Sequence, residues 1–217
     1  MTRRDLDRDP LRVAVLLSGE GTSLENLCEQ IDKGRVPARV VAVLSSKVEV
    51  GGLRRAENRG IPARAVPRRE HPDVNEFNDR LHEALLPHDV ELVALLGFLS
   101  PFQLRGRYEG RVINVHPALI PAFSGKGFYG RRVYDAVLAK GVKVTGATVH
   151  FVDEEYDHGP IILQEAVPVN EDDDVASLQE RVTAAERRLV PEAVRLIAEN
   201  RVQIDDGRVR ILSESAD

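Results

Sequence analysis

The sequence predicts an α/β protein: a Rossmann-like three-layer domain with a mostly parallel central sheet and antiparallel strands in its C-terminal half. In the first half of the chain, short apolar runs alternate with segments whose apolar residues recur at helical spacing, as successive βαβ units require. In the second half, two apolar runs are joined by a short acidic connection, which favours antiparallel pairing. The composition, 42% hydrophobic and 30% charged over 217 residues, is that of one globular domain.

The elements of the first half follow from apolar periodicity and from the residues that end each segment. After the first strand, Leu24, Leu27 and Cys28 recur at helical spacing, and Gly34 marks the end of that helix. Pro87 marks the end of a later helix, because proline cannot continue the helical hydrogen bonding. The predicted strands are residues 12–17, 40–44, 63–66, 92–96 and 112–116, and the predicted helices surround residues 24–31, 53–58 and 77–85.

The second half is predicted to contain a helix after a glycine-rich loop, two antiparallel strands and a long helix. These are residues 133–138, 144–152, 161–169 and about 175–200. Pro191 lies inside the long helix and is expected to kink or split it, because proline removes a backbone donor and clashes with the preceding turn. Apolar residues alternate with period two on both sides of Asp206-Gly207, which predicts a terminal β-hairpin.

Charge and cysteine content exclude several classes of partner. The chain has 30 Lys plus Arg against 35 Asp plus Glu, and the resulting net charge of −5 gives no electrostatic footprint for nucleic acid. No apolar run approaches the ~20 residues of a membrane span, and Arg3-Arg4 is not followed by the apolar region of a secretion signal. The single cysteine, Cys28, fits a reducing compartment. We therefore expect a cytoplasmic protein whose partners are neither nucleic acids nor membranes.

The loop Ser18-Gly-Glu-Gly-Thr-Ser23 lies where the first strand leads into a helix, and helix N-termini bind anions through free N–H groups and the helix dipole. Thr22 and Glu25 have the spacing of a capping box, so capping and anion binding are equal alternatives for this loop. The loop lacks a Walker lysine and the third glycine of the dinucleotide fingerprint. A phosphate monoester therefore fits it better than ATP or NAD.

Asn114, His116 and Asp157 form a candidate catalytic set. Alternation places Asn114 and His116 on one face of a strand, about 6.6 Å apart, at the carboxyl end where open α/β sheets bind ligands. Asp157 lies in the acidic connection of the second half. An amide and an imidazole can donate N–H groups to the oxyanion of an acyl transfer, and a carboxylate can orient the imidazole or relay protons through a water. The alternatives are an edge strand with a wet face and a solvated turn.

Two motifs around these residues resemble the signatures of the folate-dependent formyltransferases. They are residues 114–121 followed by Gly125, and residues 146–152 with Asp157 and residues 159–165. The loop at residues 18–23 is similar to the substrate-phosphate loop of the branch that acts on 5-phosphoribosylglycinamide in purine synthesis. The resemblance extends from about residue 12 to 200. It implies a formyltransferase that moves the formyl group directly from 10-formyltetrahydrofolate to the amine of that substrate, without a metal.

The same resemblance implies a role for each candidate residue. Asn114, His116 and Asp157 would be catalytic, supported by Thr148 and His150. The substrate phosphate would be held by Gly21, Thr22 and Ser23, and the ribosyl glycinamide by Glu186. Folate would be bound by Phe98, Leu99 and Ser100 and, through the backbone of the acidic loop, by Asp153, Glu154 and Tyr156. Ile120-Pro121 is expected to be a cis peptide bond.

The sequence and the resemblance together imply a domain organisation. A charged, disordered tail at residues 1–10 would precede a single formyltransferase domain at 11–217. The phosphate-binding part would be residues 11–110, the folate and catalytic part 111–200, and the hairpin 201–212. Two departures concern the folate side: the segment after Gly97 is shorter than is common in the family, and Val74 replaces a frequent arginine. The loop at 124–130 is expected to be either a mobile lid or a long surface turn.

Four other functions are consistent with parts of the sequence. A formyltetrahydrofolate hydrolase would use water in place of the amine but lacks this phosphate loop, and a methionyl-tRNA formyltransferase usually has a basic surface. A metal hydrolase could be built on His116, His150, Asp157 and His158, but no familiar metal spacing is present. A sugar-phosphate binding module would not need the catalytic set. The expected partners remain two small-molecule substrates, and the expected assembly is a monomer or a homodimer.

Overall fold

The computed structural model describes residues 9–213. Residues 1–8, most of the tail predicted at 1–10, lie outside the described residues, while Asp9 and Pro10 are exposed. The chain divides into two compact units, the first ending at Ile113 and the second beginning at Asn114.

The predicted α/β class and the mostly parallel sheet are confirmed. Seven strands form one sheet in the order β3-β2-β1-β4-β5-β6-β7, and two further strands form a separate hairpin. The strands are β1 (Leu11–Leu17), β2 (Ala38–Ser45), β3 (Ala63–Ala65), β4 (Leu92–Leu95), β5 (Val112–His116), β6 (Val144–Phe151), β7 (Ile161–Pro168), β8 (Val202–Asp205) and β9 (Arg208–Ile211). The helices are α1 (Thr22–Asp32), α2 (Gly51–Asn58), α3 (Val74–Leu85), α4 (Arg131–Lys140) and α5 (Val175–Ala198), and a 3₁₀ turn spans Leu86–His88.

In the first unit, β1 is the central strand. It pairs in parallel with β2 on one side and with β4 on the other, and its residues Val13 to Leu17 are almost completely buried. A parallel strand covered on both faces reads as a continuous apolar run, which is why β1 could be predicted from sequence. The backbone ladder continues past the strand ends, where the Ser18 N–H donates to Gly97 O (3.1 Å) and the Ser46 N–H to Leu17 O (3.2 Å).

In the second unit, β6 and β7 pair in antiparallel fashion with an irregularity between Val149 and His150, as the acidic connection predicted. Helix α5 packs on both strands. It begins at a capping box, in which the Asp174 side chain accepts from the Ser177 N–H (2.8 Å) and the Ser177 hydroxyl accepts from the Asp174 N–H (3.0 Å).

Of the two effects expected of Pro191, a kink or a split, the split is wrong. Helix α5 continues from Val175 to Ala198 with Pro191 buried inside it. Proline removes one backbone hydrogen bond, but the apolar residues on either side of it remain buried, and that packing outweighs a single lost donor. These neighbours are Leu189, Val190, Ala193 and Val194.

The predicted terminal hairpin is confirmed, with β8 and β9 in antiparallel register. Asp206 (φ 48°) and Gly207 (φ 71°) both occupy the left-handed region, as a two-residue hairpin turn of type I′ requires.

Asn78 ties the segment after β4 to helix α3. Its side chain is fully buried, and its Nδ2 donates to Val74 O (2.9 Å) and Pro101 O (3.3 Å) while its Oδ1 accepts from the Gln103 N–H (2.8 Å). Asn78→Ala leaves backbone groups without partners, so we expect the free energy of unfolding to fall by about 2–3 kcal/mol. Urea unfolding measures this change.

The matched control for Asn78→Ala is Asn75→Ala on the same helix. Asn75 is exposed, and its side chain only accepts a 3.3 Å hydrogen bond from Gln103 Nε2. We expect this variant to stay within about 0.5 kcal/mol of the parent, as surface substitutions usually do. Equal losses in both variants would show that Asn78 does not fasten the segment.

Candidate active site

The second unit brings together the three residues predicted as catalytic. Asn114 and His116 lie at the end of β5, and Asp157 lies in the loop between β6 and β7. One oxygen of Asp157 is 3.4 Å from Asn114 Nδ2, and the other is 3.4 Å from His116 Nδ1. A single carboxylate therefore lies close to both the amide and the imidazole, although it is separated from them by about forty residues of chain, between positions 114 and 157.

His150, on β6, fixes the orientation of the Asn114 amide. Its Nδ1 lies 2.7 Å from Phe151 O, and because a carbonyl oxygen only accepts, Nδ1 carries the proton. In neutral His150, Nε2 is then an acceptor, and it receives a hydrogen bond from Asn114 Nδ2 at 3.2 Å. His150, predicted as a supporting residue, thus lies beside the Asn114 amide, and each of its ring nitrogens makes a hydrogen bond.

The imidazole of His116 is buried and is held by a backbone carbonyl. Its Nε2 donates to Phe123 O at 2.8 Å, so Nδ1 faces Asp157. Burial lowers the pKa of His116, and this outweighs the opposing effects of the Asp157 charge and the Phe123 carbonyl. At neutral pH the ring is therefore neutral, and its Nε2–H reaches another acceptor only if the Phe123 contact opens.

Asp157 remains ionised in this environment. Burial alone would raise its pKa, but the neighbouring imidazoles of His150 and His116 and the Gly125 N–H together hold the pKa below its usual value. The Gly125 N–H donates to Oδ2 at 2.9 Å. The loop that contains Gly125 is therefore docked on the carboxylate in this structure.

Thr148 supports the chain that follows His116. Its hydroxyl donates to Ala118 O (2.7 Å) and accepts from the Ile120 N–H (3.2 Å) and from Gln164 Nε2 (3.0 Å). The expected cis peptide at Ile120-Pro121 is present.

The acidic loop places its predicted folate residues near the surface. Glu154 and Tyr156 are exposed, whereas Asp153 is half-buried and accepts from the Glu155 N–H (2.9 Å). Asp153 also pairs with His158 Nδ1 (2.7 Å), and this hydrogen bond raises the pKa of His158. The side chain of His158 is thus engaged by Asp153 and exposed, rather than grouped with the catalytic histidines.

Glu186, the residue predicted to contact the ribosyl glycinamide, is an acid in a partly buried position. It lies half-buried on α5, and neither of its carboxylate oxygens has a hydrogen-bond partner within residues 9–213. Burial raises its pKa to about 7. Its charge contributes, after burial, to the raised pKa of Tyr134 on α4. Glu186 is therefore not the exposed helix acid that a surface position would give.

The first unit contains the predicted phosphate loop. Helix α1 has Gly21 as its N-cap, and no side chain caps its first turn. The capping box suggested by Thr22 and Glu25 is absent, because Thr22 follows the N-cap and lies inside the helix. The carboxylate of Glu25 pairs with Arg59 and Arg55 instead. The hydrogen bond from Arg59 lowers the pKa of Glu25. Capping and anion binding are the two alternatives for this loop, and the structure contains no side-chain cap at the start of α1.

Gly21 needs both its conformation and its lack of a side chain. It has φ 73°, and a Cβ built on it would stand 2.5 Å from the Cα of Gly52. The Gly52 N–H donates to Gly19 O at 3.1 Å, so the loop is held against the start of α2.

The segment after β4 holds the other predicted folate residues of the first unit. Phe98 is buried and stacks on Phe77 (centroids 6.4 Å apart), Leu99 is exposed, and Ser100 is half-buried. The Phe98 ring is therefore mostly taken up by packing inside the first unit. The guanidinium of Arg68 lies over the ring of Phe77, at 5.4 Å from its centroid.

Two structural observations concern other classes of function. Within residues 9–213, no group of three or more His, Cys, Asp or Glu side chains is arranged to hold a metal ion. In the same part of the chain, every helix is too short or too polar to cross a bilayer.

Comparison with known proteins identifies the family. Residues 11–194 match the family model described as formyl transferase. The chain belongs to the formyl transferase family. Among curated members, it is 41% identical over 198 residues to phosphoribosylglycinamide formyltransferase of Mycobacterium tuberculosis, covering 90% of this chain and 88% of the relative.

Larger proteins and solved structures of the family are also similar. The chain is 42% identical over 205 residues to the trifunctional purine biosynthetic protein adenosine-3 of Gallus gallus, covering 93% of this chain but only 20% of that protein. The structure of glycinamide ribonucleotide transformylase 1 from Symbiobacterium toebii has a TM-score of 0.89 and 39% identity, with 98% of each chain covered. A formyltetrahydrofolate deformylase from Pseudomonas syringae is 26% identical with a TM-score of 0.85, covering 95% of this chain and 67% of the other.

Sequence reasoning missed the contacts that constrain the predicted residues. The Phe123 carbonyl on His116 is a backbone group, and no side-chain pattern signals it. The hydroxyl of Ser18, just before the phosphate loop, accepts a hydrogen bond from the Leu99 N–H (2.9 Å). Its only signal in the sequence is a polar residue at the end of an apolar strand.

Proposed function

We propose that this chain is a phosphoribosylglycinamide formyltransferase, a cytoplasmic enzyme of de novo purine biosynthesis. It transfers the formyl group of 10-formyltetrahydrofolate to the amine of 5-phosphoribosylglycinamide. The observation that carries the proposal is the proximity of Asp157 to both Asn114 and His116 at the end of β5, with its two oxygens 3.4 Å from Asn114 Nδ2 and from His116 Nδ1. Membership of the formyl transferase family and the similarity to members with this name support it.

The geometry of the second unit suits direct acyl transfer. The substrate amine attacks the formyl carbon, and negative charge develops on the formyl oxygen. N–H groups of Asn114 and His116 stabilise this oxygen once the oxyanion replaces their present acceptors, including Phe123 O. A new C–N bond forms to the glycinamide while the bond to N10 of the folate breaks. The amine loses a proton and N10 gains one, with the ionised Asp157 relaying it through a water.

The remaining site residues have binding roles in this proposal. The uncapped N-terminus of α1, at Gly21, Thr22 and Ser23, binds the substrate phosphate through backbone N–H groups. Glu186 contacts the ribosyl glycinamide. Folate is bound by the segment Phe98 to Ser100 and by the backbone of the acidic loop at Asp153, Glu154 and Tyr156. These roles require no metal, and the assembly is a monomer or a homodimer.

An assay with purified full-length chain tests the proposed function. We expect deformylated folate and formylated glycinamide ribonucleotide to appear in equal amounts, and only when both substrates are present. The similarity to a deformylase makes hydrolysis the second candidate, with water in place of the amine. Folate deformylation that proceeds at the same rate without 5-phosphoribosylglycinamide would establish hydrolysis and reject transfer.

Gly21→Ala tests the phosphate loop. The substitution adds a Cβ that meets the Gly52 backbone and also strains a left-handed position. We expect KM for 5-phosphoribosylglycinamide to rise about tenfold or more, with KM for the folate changed much less, because the displaced loop presents its N–H groups poorly. Steady-state kinetics with each substrate varied in turn measures both constants.

Gly34→Ala is the matched control for Gly21→Ala. Gly34 also has a left-handed backbone (φ 70°), but no atom beyond its chain neighbours lies within 4 Å of a Cβ built on it. It therefore carries the same kind of strain without the collision, and we expect both KM values to stay close to those of the parent. A parallel rise of both KM values in Gly21→Ala would indicate general damage to the fold instead.

A further inference from the structure

The Ser18 side chain connects two segments that lie far apart in the sequence of the first unit. Its hydroxyl oxygen accepts from the Leu99 N–H (2.9 Å) and lies 2.6 Å from the hydroxyl of Ser46. Its own N–H donates to Gly97 O at 3.1 Å. Ser18 therefore makes two hydrogen bonds to the segment after β4, and it is the first residue of the loop after β1.

The second hydroxyl anchors this connection. Ser18 and Ser46 are each only 4% exposed, so neither hydroxyl can readily exchange its partner for water. Since Ser18 Oγ accepts from Leu99, its proton is free to donate to Ser46 Oγ. Ser46 is fixed by its backbone, with its N–H on Leu17 O (3.2 Å) and its carbonyl accepting from the Arg68 N–H (3.0 Å). Because Ser46 is held in place, a movement of the Ser18 side chain moves the Leu99 backbone rather than the Ser46 side chain.

A neighbouring serine has the same burial but none of these connections. Ser45 is completely buried at the end of β2, and its hydroxyl accepts a local hydrogen bond from the Lys47 N–H at 3.0 Å. Its hydroxyl makes no hydrogen bond to the loop after β1 or to the segment after β4. Ser45 therefore serves as a control for the removal of a buried hydroxyl near the carboxyl ends of these strands.

We propose that Ser18 is a positioning residue that couples the binding of the two substrates. This inference rests on the proposed function, which assigns the phosphate to the loop at Gly21–Ser23 and the folate to the segment Phe98–Ser100. A phosphate bound at α1 orders the loop that begins at Ser18, and the Ser18 hydroxyl then orders Leu99. The second substrate meets a segment that is already ordered and loses less conformational entropy on binding, so each substrate tightens the other.

Equilibrium titration of the full-length protein with tetrahydrofolate, with and without saturating 5-phosphoribosylglycinamide, measures the coupling as a ratio of two Kd values. We expect a ratio of about fivefold or more in the parent protein. In Ser18→Ala the Leu99 N–H loses its acceptor, and we expect the ratio to fall to about one. Ser18→Cys has nearly the same size but a poor acceptor, and should behave alike. Ser45→Ala should keep the parent ratio.

The outcomes separate this inference from the proposed function. A parent protein that transfers the formyl group but has a ratio of one overturns the coupling, as do folded Ser18 variants that keep the parent ratio. A loss of the ratio in Ser45→Ala equal to that in Ser18→Ala also overturns it, because any buried hydroxyl would then suffice. A parent protein that neither binds the two compounds nor transfers the formyl group rejects the proposed function itself. Thermal unfolding of each variant establishes that it is folded.

Discussion

Replacing Asp157 with asparagine is expected to lower the rate of formyl transfer about a hundredfold or more, equivalent to about 2.7 kcal/mol of barrier, while binding of the phosphorylated substrate is retained. The substitution preserves size but removes the ionised carboxylate that lies beside both the amide and the imidazole. Without that charge, no base relays the proton from the amine to N10, and the pKa of His116 loses the one charge that raises it.

Single-turnover transfer, combined with equilibrium titration of 5-phosphoribosylglycinamide, separates chemistry from binding for Asp157→Asn. Glu155→Gln is the matched control, because Glu155 is an exposed acid of the same loop and its substitution removes the same charge two residues away. We expect the control to transfer at close to the parent rate. A near-normal rate in Asp157→Asn would remove Asp157 from the chemistry and leave it a structural acceptor for the Gly125 N–H.

The sequence predicts most of the fold because its elements are encoded locally. The apolar run of β1 and the helical spacing of Leu24, Leu27 and Cys28 depend only on which faces are buried. The hairpin at Asp206-Gly207 likewise depends on two adjacent residues that tolerate a left-handed backbone. Pro191 is different, because whether a helix survives a proline depends on the packing of its neighbours, which a local pattern does not specify.

The candidate site also has features that the local sequence predicts and features that only the tertiary structure determines. Strand alternation places Asn114 and His116 on one face, and the family motif adds Asp157, so the proximity of the three side chains is predictable from the sequence. The hydrogen bonds that hold Asn114 and His116 are accepted by His150 and by Phe123 O. The side-chain cap that is one of two alternatives for Glu25 is replaced by its pairs with Arg55 and Arg59. Such contacts join residues through the folded backbone, and each long side chain has several possible partners that only tertiary structure selects.

Glu186→Gln is expected to stabilise the free protein at pH 8 while weakening its binding of 5-phosphoribosylglycinamide. Burial raises the Glu186 pKa to about 7 from an ordinary value of 4.5. The folded state therefore binds a proton more tightly than the unfolded state. Stability from this group is complete below about pH 4.5 and is lost as the pH rises towards 7, by up to about 3 kcal/mol. Glutamine stays neutral and avoids that loss.

Urea unfolding of the parent and of Glu186→Gln at pH 5 and pH 8, without ligands, isolates this effect, because the other titrating groups cancel in the difference. We expect the advantage of the variant to be small at pH 5 and to grow towards pH 8. Glu192→Gln, on the same helix, provides a control of opposite sign, because the hydrogen bond from Arg195 lowers the pKa of Glu192. Its substitution should therefore destabilise the protein at pH 8.

The combination of the two effects is what distinguishes a binding role for Glu186 from a packing role. An acid without a hydrogen-bond partner inside residues 9–213 destabilises the folded state when it ionises, so no hydrogen bond within this part of the chain favours glutamate over glutamine at this position. A substrate that binds the carboxylate supplies the missing partner and offsets that cost, a common exchange of stability for function. A Glu186→Gln protein that is more stable at pH 8 and binds the substrate as tightly as the parent would leave the carboxylate without a function in binding.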